Sequence, residues 1–407
     1  MPTSSILDTI MNQVQADKIG RLDVMKMIEK LFANLNEREQ DILKRRFGLN
    51  RKKKATLEEI GQTHHLTRER IRQIETGSIN KIKKLEKISE VVSDLRTLVT
   101  QLLEDHGGTM DKEYLFDILL ILALDPDELK VTDSEIFRNH FSFILGRILD
   151  TDFKEVESSK HFNPVFSLRY QEFEHLEEVA AELLRNVKAA KHLFLTTDLL
   201  KATTNLEAYK KHESKLTSSG KESLDLTKTL EQILPIKDAA IANDLKPLYS
   251  LLRAMTDIEQ NKFGDWGHRE WRDVKPKTIN DKIYLILKNN GKPMHYQDIG
   301  KTINTTGFDG KTVNTATVHN ELILDDKYVL VGRGLYALKE WGYTKGTVAD
   351  IIADILEKTK TPLTKKDITE QVMKQRMVKK TTIDLALMNK KRFERQPGGK
   401  YSLIGVK

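Results

Sequence analysis

Between positions 56 and 85 the apolar residues fall on one helical face and the long polar ones on another. Ile71, Ile74, Ile82 and Leu85 recur at spacings of three, eight and three, with Ser78 in the gap, so one stripe of a helix can be buried. Arg68, Glu69, Arg72 and Gln73 are related by three and four residues and project together from the other side, near the first turns. Upstream, Thr56 and Glu59 have capping-box spacing, which predicts a short helix from Leu57. Gly61 is expected to end it, with Gln62 to Leu66 as a tight turn and Thr67 capping the next helix through its hydroxyl. Short helix, turn and second helix with an exposed polar face make a helix-turn-helix.

The last third of the chain carries a weak internal repeat. Asn280 to Asn289 reads as a helix, followed by Gly291-Lys292-Pro293, a second helix from near His295 and a third from about Thr315 to Leu324. Tyr328 to Val331 and Leu335 to Leu338 then read as short strands around Gly332-Arg333-Gly334, a hairpin turn that tolerates positive φ. Residues 345–404 repeat the order with helices at Val348 to Lys358, from Lys365, and at Thr381 to Met388, then Arg392 to Arg395 and Tyr401 to Leu403 around Pro397-Gly398-Gly399-Lys400. Pro293 precedes Asp298-Ile299 by the offset at which Pro362 precedes Asp367-Ile368. Three helices closed by a hairpin make a winged helix, here in tandem.

The middle reads as two degenerate units of the same kind. Leu95 to Glu104, Lys112 to Leu122 and Ser134 to Leu149 are expected as helices, with Phe153 to Val156 and Val165 to Leu168 as a wing. A further unit is expected from Glu174 to Trp266 and Trp271, with His212 to Thr227, rich in Lys, Ser and Thr, as a loop or mobile insertion. Trp266 and Trp271 read as aromatics closing a wing over a small core, with base stacking as the alternative. At the N-terminus, Ile6, Ile10, Met11 and Val14, then Leu22, Met25, Met27, Ile28 and Leu31, predict two amphipathic helices. The expected class is therefore mainly α, with tandem helix-turn-helix and winged-helix domains and short β-hairpin wings. The expected divisions are 1–34, 35–90, 91–172, 173–274, 275–342 and 343–407.

Charge sharpens this division. The 407 residues carry a net +7, but residues 35–90 hold 15 Lys and Arg against 9 Asp and Glu, and residues 275–407 hold 25 against 14. Residues 91–274 hold 23 against 33. Two basic ends suited to a polyanion flank an acidic centre that DNA would repel. Zero cysteine removes disulfides, thiolate metal sites and cysteine nucleophiles, and fits a reducing cytoplasm, with association to the nucleoid expected. No apolar run approaches the roughly 20 residues that span a bilayer, so no membrane partner is expected.

Arg can fork to guanine O6 and N7, Gln can do the same to adenine, and Glu can accept from cytosine N4. Arg68, Glu69, Arg72 and Gln73 therefore suit base edges in a major groove; a solvated face laced with intrahelical ion pairs is the plainer alternative. Catalytic constellations are lacking: no phosphate-cradling Gly-Lys-Ser loop, no Gly-x-Ser-x-Gly elbow and no His-Glu-x-x-His helix. His64 and His65 have no third ligand at useful spacing, so no metal and no cofactor is expected.

Leu35-Asn36-Glu37-Arg38-Glu39, Arg45-Arg46-Phe47-Gly48-Leu49, Thr56 to Gly61 and Thr67 to Glu75 together resemble region 4 of the sigma-70 family of bacterial transcription initiation factors. The resemblance covers about one eighth of the chain, from Leu35 to Leu85. It implies binding of double-stranded DNA at the minus-35 promoter element and docking on the RNA polymerase beta-flap. It also implies base-edge contacts from Arg68, Glu69, Arg72 and Gln73, with Thr67 and Arg70 nearer the phosphates. Lys81, Lys83 and Lys84 continue down the same helix and are candidates for the backbone. Departures are Gly77 inside the helix, a His pair in the turn, and the lack of the aromatic-rich segments that melt promoters. Residues 1–34 are too short to hold those segments, so promoter opening by this chain alone is not expected.

Lys292 to Ile299, Thr317 to Leu322 and Tyr328 to Leu338 are similar to the HARE-type winged helix, a family that includes the N-terminal domain of the bacterial RNA polymerase delta subunit. The likeness is good for the first copy and thin for the second. From the helix order alone, Thr312, Asn314 and Thr315 begin one third helix, and Lys379, Lys380 and Thr381 the other. With Lys390, Lys391 and Arg392, the latter three form a possible second DNA surface. The combined reading is a sequence-specific DNA-binding transcription factor that also contacts RNA polymerase. An accessory polymerase subunit acting through protein contacts is the alternative, and a recognition module of a DNA-modification system a third. Target sequence and oligomeric state are not legible.

Overall fold

The computed structural model describes residues 22–50, 53–124, 133–216, 223–234, 236–376 and 378–404. The chain divides into two compact units, one running to Arg269 and the other starting at Glu270. Both are mainly α, with small antiparallel sheets.

The first unit opens with α1 (Val24–Phe32), whose N-terminus is capped by Asp23 and whose Val24, Met27, Ile28, Leu31 and Phe32 point inward. The helix expected over Ile6 to Val14 lies outside the described residues. In α2 (Glu37–Phe47) a capping box pairs the Asn36 side chain with Glu39 N at 2.9 Å and the Glu39 carboxylate with Asn36 N at 3.1 Å. A left-handed Gly48 (φ 68°) ends the helix. Thr56 and Glu59 cap α3 (Leu57–His64) in the same way, and Thr67 Oγ1 accepts from Arg70 N at 3.3 Å to start α4 (Arg68–Lys83).

Gly61 does not end α3. The helix continues to His64 and the chain reverses at His65, which takes a left-handed conformation (φ 54°). A Cβ on Gly61 would stand 2.6 Å from the Leu66 carbonyl oxygen, and Leu66 N donates to Gly61 O at 2.9 Å. Glycine is needed here for close approach, not as a helix stop. Likewise α4 runs unbroken through the exposed Gly77, where an added Cβ would meet nothing within 4 Å. Ile42, Ala55, Ile60 and Ile71 form the core of this small domain, with Leu57, Leu66 and Ile74 packed against it.

A winged-helix order follows. α5 (Ile88–Asp105) starts well before the expected Leu95, and β1 (Thr109–Asp111) is a strand that the hydrophobic pattern does not reveal. α6 (Lys112–Ala123) and α7 (Ser134–Phe143) come next, α7 ending in a wide turn over Ile144–Ile148. β2 (Phe153–Val156) and β3 (Val165–Leu168) complete an antiparallel sheet of order β1-β3-β2. Phe47 and Phe32 both pack on Phe143, with ring centroids 4.8 and 6.0 Å apart, so the helix-turn-helix domain shares aromatic packing with this one.

Six helices, α8 (Glu174–Ala190), α9 (Thr196–Thr204), α10 (Glu207–His212), α11 (Thr227–Leu230), α12 (Ile236–Asp244) and α13 (Lys246–Ala254), lead to the hairpin β4 (Ile258–Gln260) and β5 (Trp266–His268). Trp266 is buried and its indole N–H donates to Thr196 Oγ1 at 2.9 Å, so it packs inside and offers no stacking surface. The segment expected as one loop from His212 to Thr227 is tied down on both sides of residues 217–222. Glu213–Lys215 form a 3₁₀ turn, Leu216 and Leu226 are buried, and Leu224 N donates to Asp105 Oδ2 at 2.8 Å.

The second unit contains two copies of one motif. The first comprises α14 (Ile279–Asn290), β6 (Met294–His295), α15 (Tyr296–Thr306), α16 (Thr315–Leu324), β7 (Tyr328–Gly332) and β8 (Leu335–Leu338), with sheet order β6-β8-β7. The second comprises α17 (Val348–Thr359), β9 (Leu363–Thr364), α18 (Lys365–Gln375), α19 (Lys380–Leu387), β10 (Phe393–Arg395) and β11 (Lys400–Leu403), with order β10-β11-β9. The short strands after Pro293 and Pro362, which add a third strand to each wing, escape the sequence pattern because two residues show no alternation. Equivalent residues do equivalent work. Thr278 with Asp281 and Thr347 with Asp350 form capping boxes, and Val318, Leu322 and Tyr328 match Ile383, Leu387 and Phe393 in the two cores. The guanidinium of Arg376 joins the copies by donating to the carbonyls of Leu330 and Gly346.

Candidate nucleic-acid interface

The apolar face of α4 fixes what its other face presents. Ile71 and Ile82 are buried, and Ser78 between them is buried with its hydroxyl donating to Ile74 O at 2.7 Å. Arg68, Glu69, Arg70, Arg72 and Gln73 are consequently all exposed on the first turns. They are not idle in solvent. Arg72 forks onto Glu69, with Nε to Oε2 at 2.9 Å and NH2 to Oε1 at 2.7 Å, and Arg70 NH1 donates to Gln73 Oε1 at 3.1 Å. The hydrogen bond from Arg72 holds the Glu69 carboxyl below its usual value and raises the guanidinium in turn. Both side chains remain 58% exposed, and an ion pair so solvated exchanges readily for other partners. The intrahelical ion pair of the plainer reading is therefore present, and it holds the Arg72 fork at the surface.

The expected backbone contacts divide. Thr67 is exposed with its hydroxyl used as the helix cap, and Lys84 is exposed at the far end of α4. Lys81 is held by Glu39 at 2.5 Å, a contact that lowers the Glu39 carboxyl and joins α4 to α2. Lys83 contacts both oxygens of Asp150, at 2.6 and 2.7 Å. Asp150 belongs to the acidic middle of the chain, so a residue counted as a phosphate contact is engaged by an internal anion. His64 is a tie too: its Nε2 stands 2.8 Å from Asp41 Oδ2, which Arg45 also reaches at 2.7 Å. Burial alone would raise the Asp41 carboxyl, and the bonds from Arg45 and His64 outweigh it.

A second group of cations was not singled out from the sequence. Arg45, Lys53 and Lys54 line an open groove with Glu59 and Thr63 at the start of α3. Arg46 donates to Ala55 O at 3.3 Å and pairs with Glu75 at 3.4 Å, while Arg147 lies over the Phe47 ring at 5.9 Å. Partial burial and then the nearby Lys112, Arg46 and Arg147 hold the Lys54 ammonium below its ordinary value. The run 51–54 just before the Thr56 cap was the available signal. Lys112 and Arg147 could not be foreseen, because only the packing of the acidic domain brings them there.

In the second unit, Lys379, Lys380, Thr381, Lys390, Lys391 and Arg392 are all exposed, at the two ends of one helix. Lys379, Lys380 and Thr381 start α19, whereas Lys390, Lys391 and Arg392 follow its end, and Arg392 pairs with Asp350 at 2.5 Å. Thr312 and Asn314 are exposed and Thr315 half-buried at the start of α16, where Asn314 caps through a bond from Ala316 N at 2.9 Å. Among the described residues no group of three His, Asp or Glu side chains could hold a metal ion, and no helix is long and apolar enough to cross a membrane.

Comparison with known proteins bears on the first domain. Residues 31–84 match the family model described as Sigma-70, region 4. Similar curated proteins include the RNA polymerase sigma factor SigA of Nostoc sp., 42% identical over 67 residues (16% of this chain and 17% of the relative). The sigma factor RpoD of Helicobacter pylori is 46% identical over 68 residues, 16% and 10% of the two chains. The sigma factor RpoS of Coxiella burnetii is 32% identical over 93 residues, 22% and 26%. This chain therefore spans about a quarter or less of these relatives. No solved structure gives a significant match.

Proposed function

We propose that this protein is a sequence-specific DNA-binding transcription factor in which the helix-turn-helix around α4 reads a promoter-like duplex, and that it contacts RNA polymerase. The observation that carries the reading is the outward quartet Arg68, Glu69, Arg72 and Gln73 on a rigid, capped helix inside a segment similar to sigma-70 region 4. In this reading the four side chains meet base edges, with Glu69 steering the Arg72 fork, while Thr67, Arg70 and Lys84 meet phosphates. Lys81 and Lys83 reach the backbone only by leaving Glu39 and Asp150. Arg45, Lys53 and Lys54 extend the basic surface. Contact with polymerase rests on the names of the relatives, and the likeness of the tandem winged helices to the HARE type belongs to the same proposal.

Selection of duplexes from a random pool with the full chain tests it. Enrichment of one short motif resembling a minus-35 element is expected. Uniform recovery of all sequences would mean that α4 does not read bases.

A further inference from the structure

The third helix of a winged helix is the element that its fold offers to a partner, and in α19 that helix is chemically unlike α4. Ile383 and Leu387 face the core, which leaves Thr381, Leu385 and Met388, spaced by four and three, as the outward stripe. Leu385 is 69% exposed and Met388 70%. No Arg, Gln or Asn lies on that stripe to fork onto a base. The sister helix α16 carries Ala316 and Asn320 at the positions of Thr381 and Leu385 and an exposed Ile323 (58%) at that of Met388, so the fold does not require an apolar group at the centre of the stripe.

Cations frame the stripe of α19 at both ends. Lys379 and Lys380 precede it, Lys390 and Lys391 follow it, and all four are exposed. Asp384 beside the stripe is occupied by Lys365 at 2.9 Å. Residues 343–407 hold 15 Lys and Arg against 7 Asp and Glu, a net +8. An apolar centre with a basic rim is complementary to an amphipathic helix whose apolar stripe is bordered by Asp and Glu.

We propose that the outer face of α19 docks an acidic amphipathic helix of a partner protein, packing Leu385 and Met388 against the partner's apolar stripe while Lys380, Lys390 and Lys391 meet its carboxylates. This goes beyond duplex reading by α4 and does not depend on it. The six basic and polar residues around α19 then serve a protein contact, not a second DNA surface.

A phage-displayed library of helix-forming peptides, panned against the full chain, tests the inference. Enriched sequences should carry large apolar residues at spacings of three and four with flanking Asp and Glu. By fluorescence anisotropy their affinity should fall at least tenfold for the Leu385→Ala/Met388→Ala double variant. It should fall several-fold for Lys390→Glu/Lys391→Glu, which leaves the stripe untouched, and should weaken with salt. Both variants change exposed groups only, so their melting curves should match the parent's, and the Leu385→Ala/Met388→Ala variant should keep the parent's affinity for a selected duplex. Three results would overturn it: no acidic amphipathic enrichment, equal peptide binding by the double variant, or a loss of duplex affinity in that variant. Self-association that the double variant abolishes would also overturn it, by making a second copy of this chain the occupant.

Discussion

The helices α4 and α19 hold the same place in their respective motifs, each the third helix of a set and each anchored by buried aliphatic residues at helical spacing. They turn opposite chemistry outward. α4 presents three arginines, a glutamate and a glutamine, with Arg72 bonded to Glu69 and Arg70 to Gln73, and α19 presents a leucine and a methionine between lysines. Burial decides which positions face out, and residue type alone then decides what those positions can recognise. A winged or helix-turn-helix architecture is thus no argument for DNA binding until its outward side chains are examined.

The largest way to break the comparison is to remove the geometry that presents α4. Gly61→Leu puts a side chain where a backbone oxygen already stands, so the first unit should lose about 3 kcal/mol by calorimetry and duplex binding with it. In the second unit the corresponding Gly300 would meet the Cγ2 of Thr315 at 2.8 Å and no other atom closer than 3.5 Å, and the sister motif has Thr369 there. Gly300→Ala should cost far less. Equal losses would show that the two turns are not built differently.

Acid should separate the units next. Burial lowers the imidazole of His106 to about 3 and that of His140 to about 4, both in the first unit. Each is neutral when folded and takes a proton near pH 6.5 when unfolded, so the unfolded state binds more protons between those values. Stability is full above pH 6.5 and declines as pH falls towards 4, on the order of 2 kcal/mol per imidazole at pH 5. In the second unit Asp350 is held far below its usual value by hydrogen bonds from Thr347 and Arg392, so that contribution survives to much lower pH. Calorimetric scans at pH 7 and pH 5 should lower the transition of the first unit more than that of the second; a parallel shift would contradict this.

A smaller effect sharpens the role of the acidic middle. Asp150→Asn removes the anion that holds Lys83 and should raise affinity several-fold on every duplex alike, steepening the salt dependence by about one ion. No change in binding isotherms at two salt concentrations would mean that Lys83 does not face the backbone. The smallest effect is Gly77→Ala, which fills open space on an exposed turn of α4. It should stabilise the first unit by about 0.5–1 kcal/mol in denaturant melts without altering duplex choice.

Periodicity made most of this legible. The spacing of Ile71, Ile74 and Ile82 oriented α4, and the Thr56 and Glu59 pair marked the start of α3, because a cap is a local hydrogen bond that needs no tertiary partner. What escaped depends on distant residues. Gly61 reads as a stop until Leu66 is seen folded against it, and β1, β6 and β9 are too short to alternate. Lys83 reads as a phosphate ligand until Asp150, far along the chain, is found beside it. In α19 the lysines were visible in sequence, but the exposure of Leu385 and Met388 became apparent only once Ile383 and Leu387 were seen to fill the core.

The most direct test of the central claim is the affinity of the full chain, and of its Arg72→Ala, Gln73→Ala and Lys84→Ala variants, for every single-base change of the selected duplex. Base reading predicts that Arg72→Ala and Gln73→Ala each lose about tenfold on the parent site and lose discrimination at one or two positions, while Lys84→Ala weakens all duplexes equally. Uniform weakening by all three variants, with discrimination intact at every position, would contradict it.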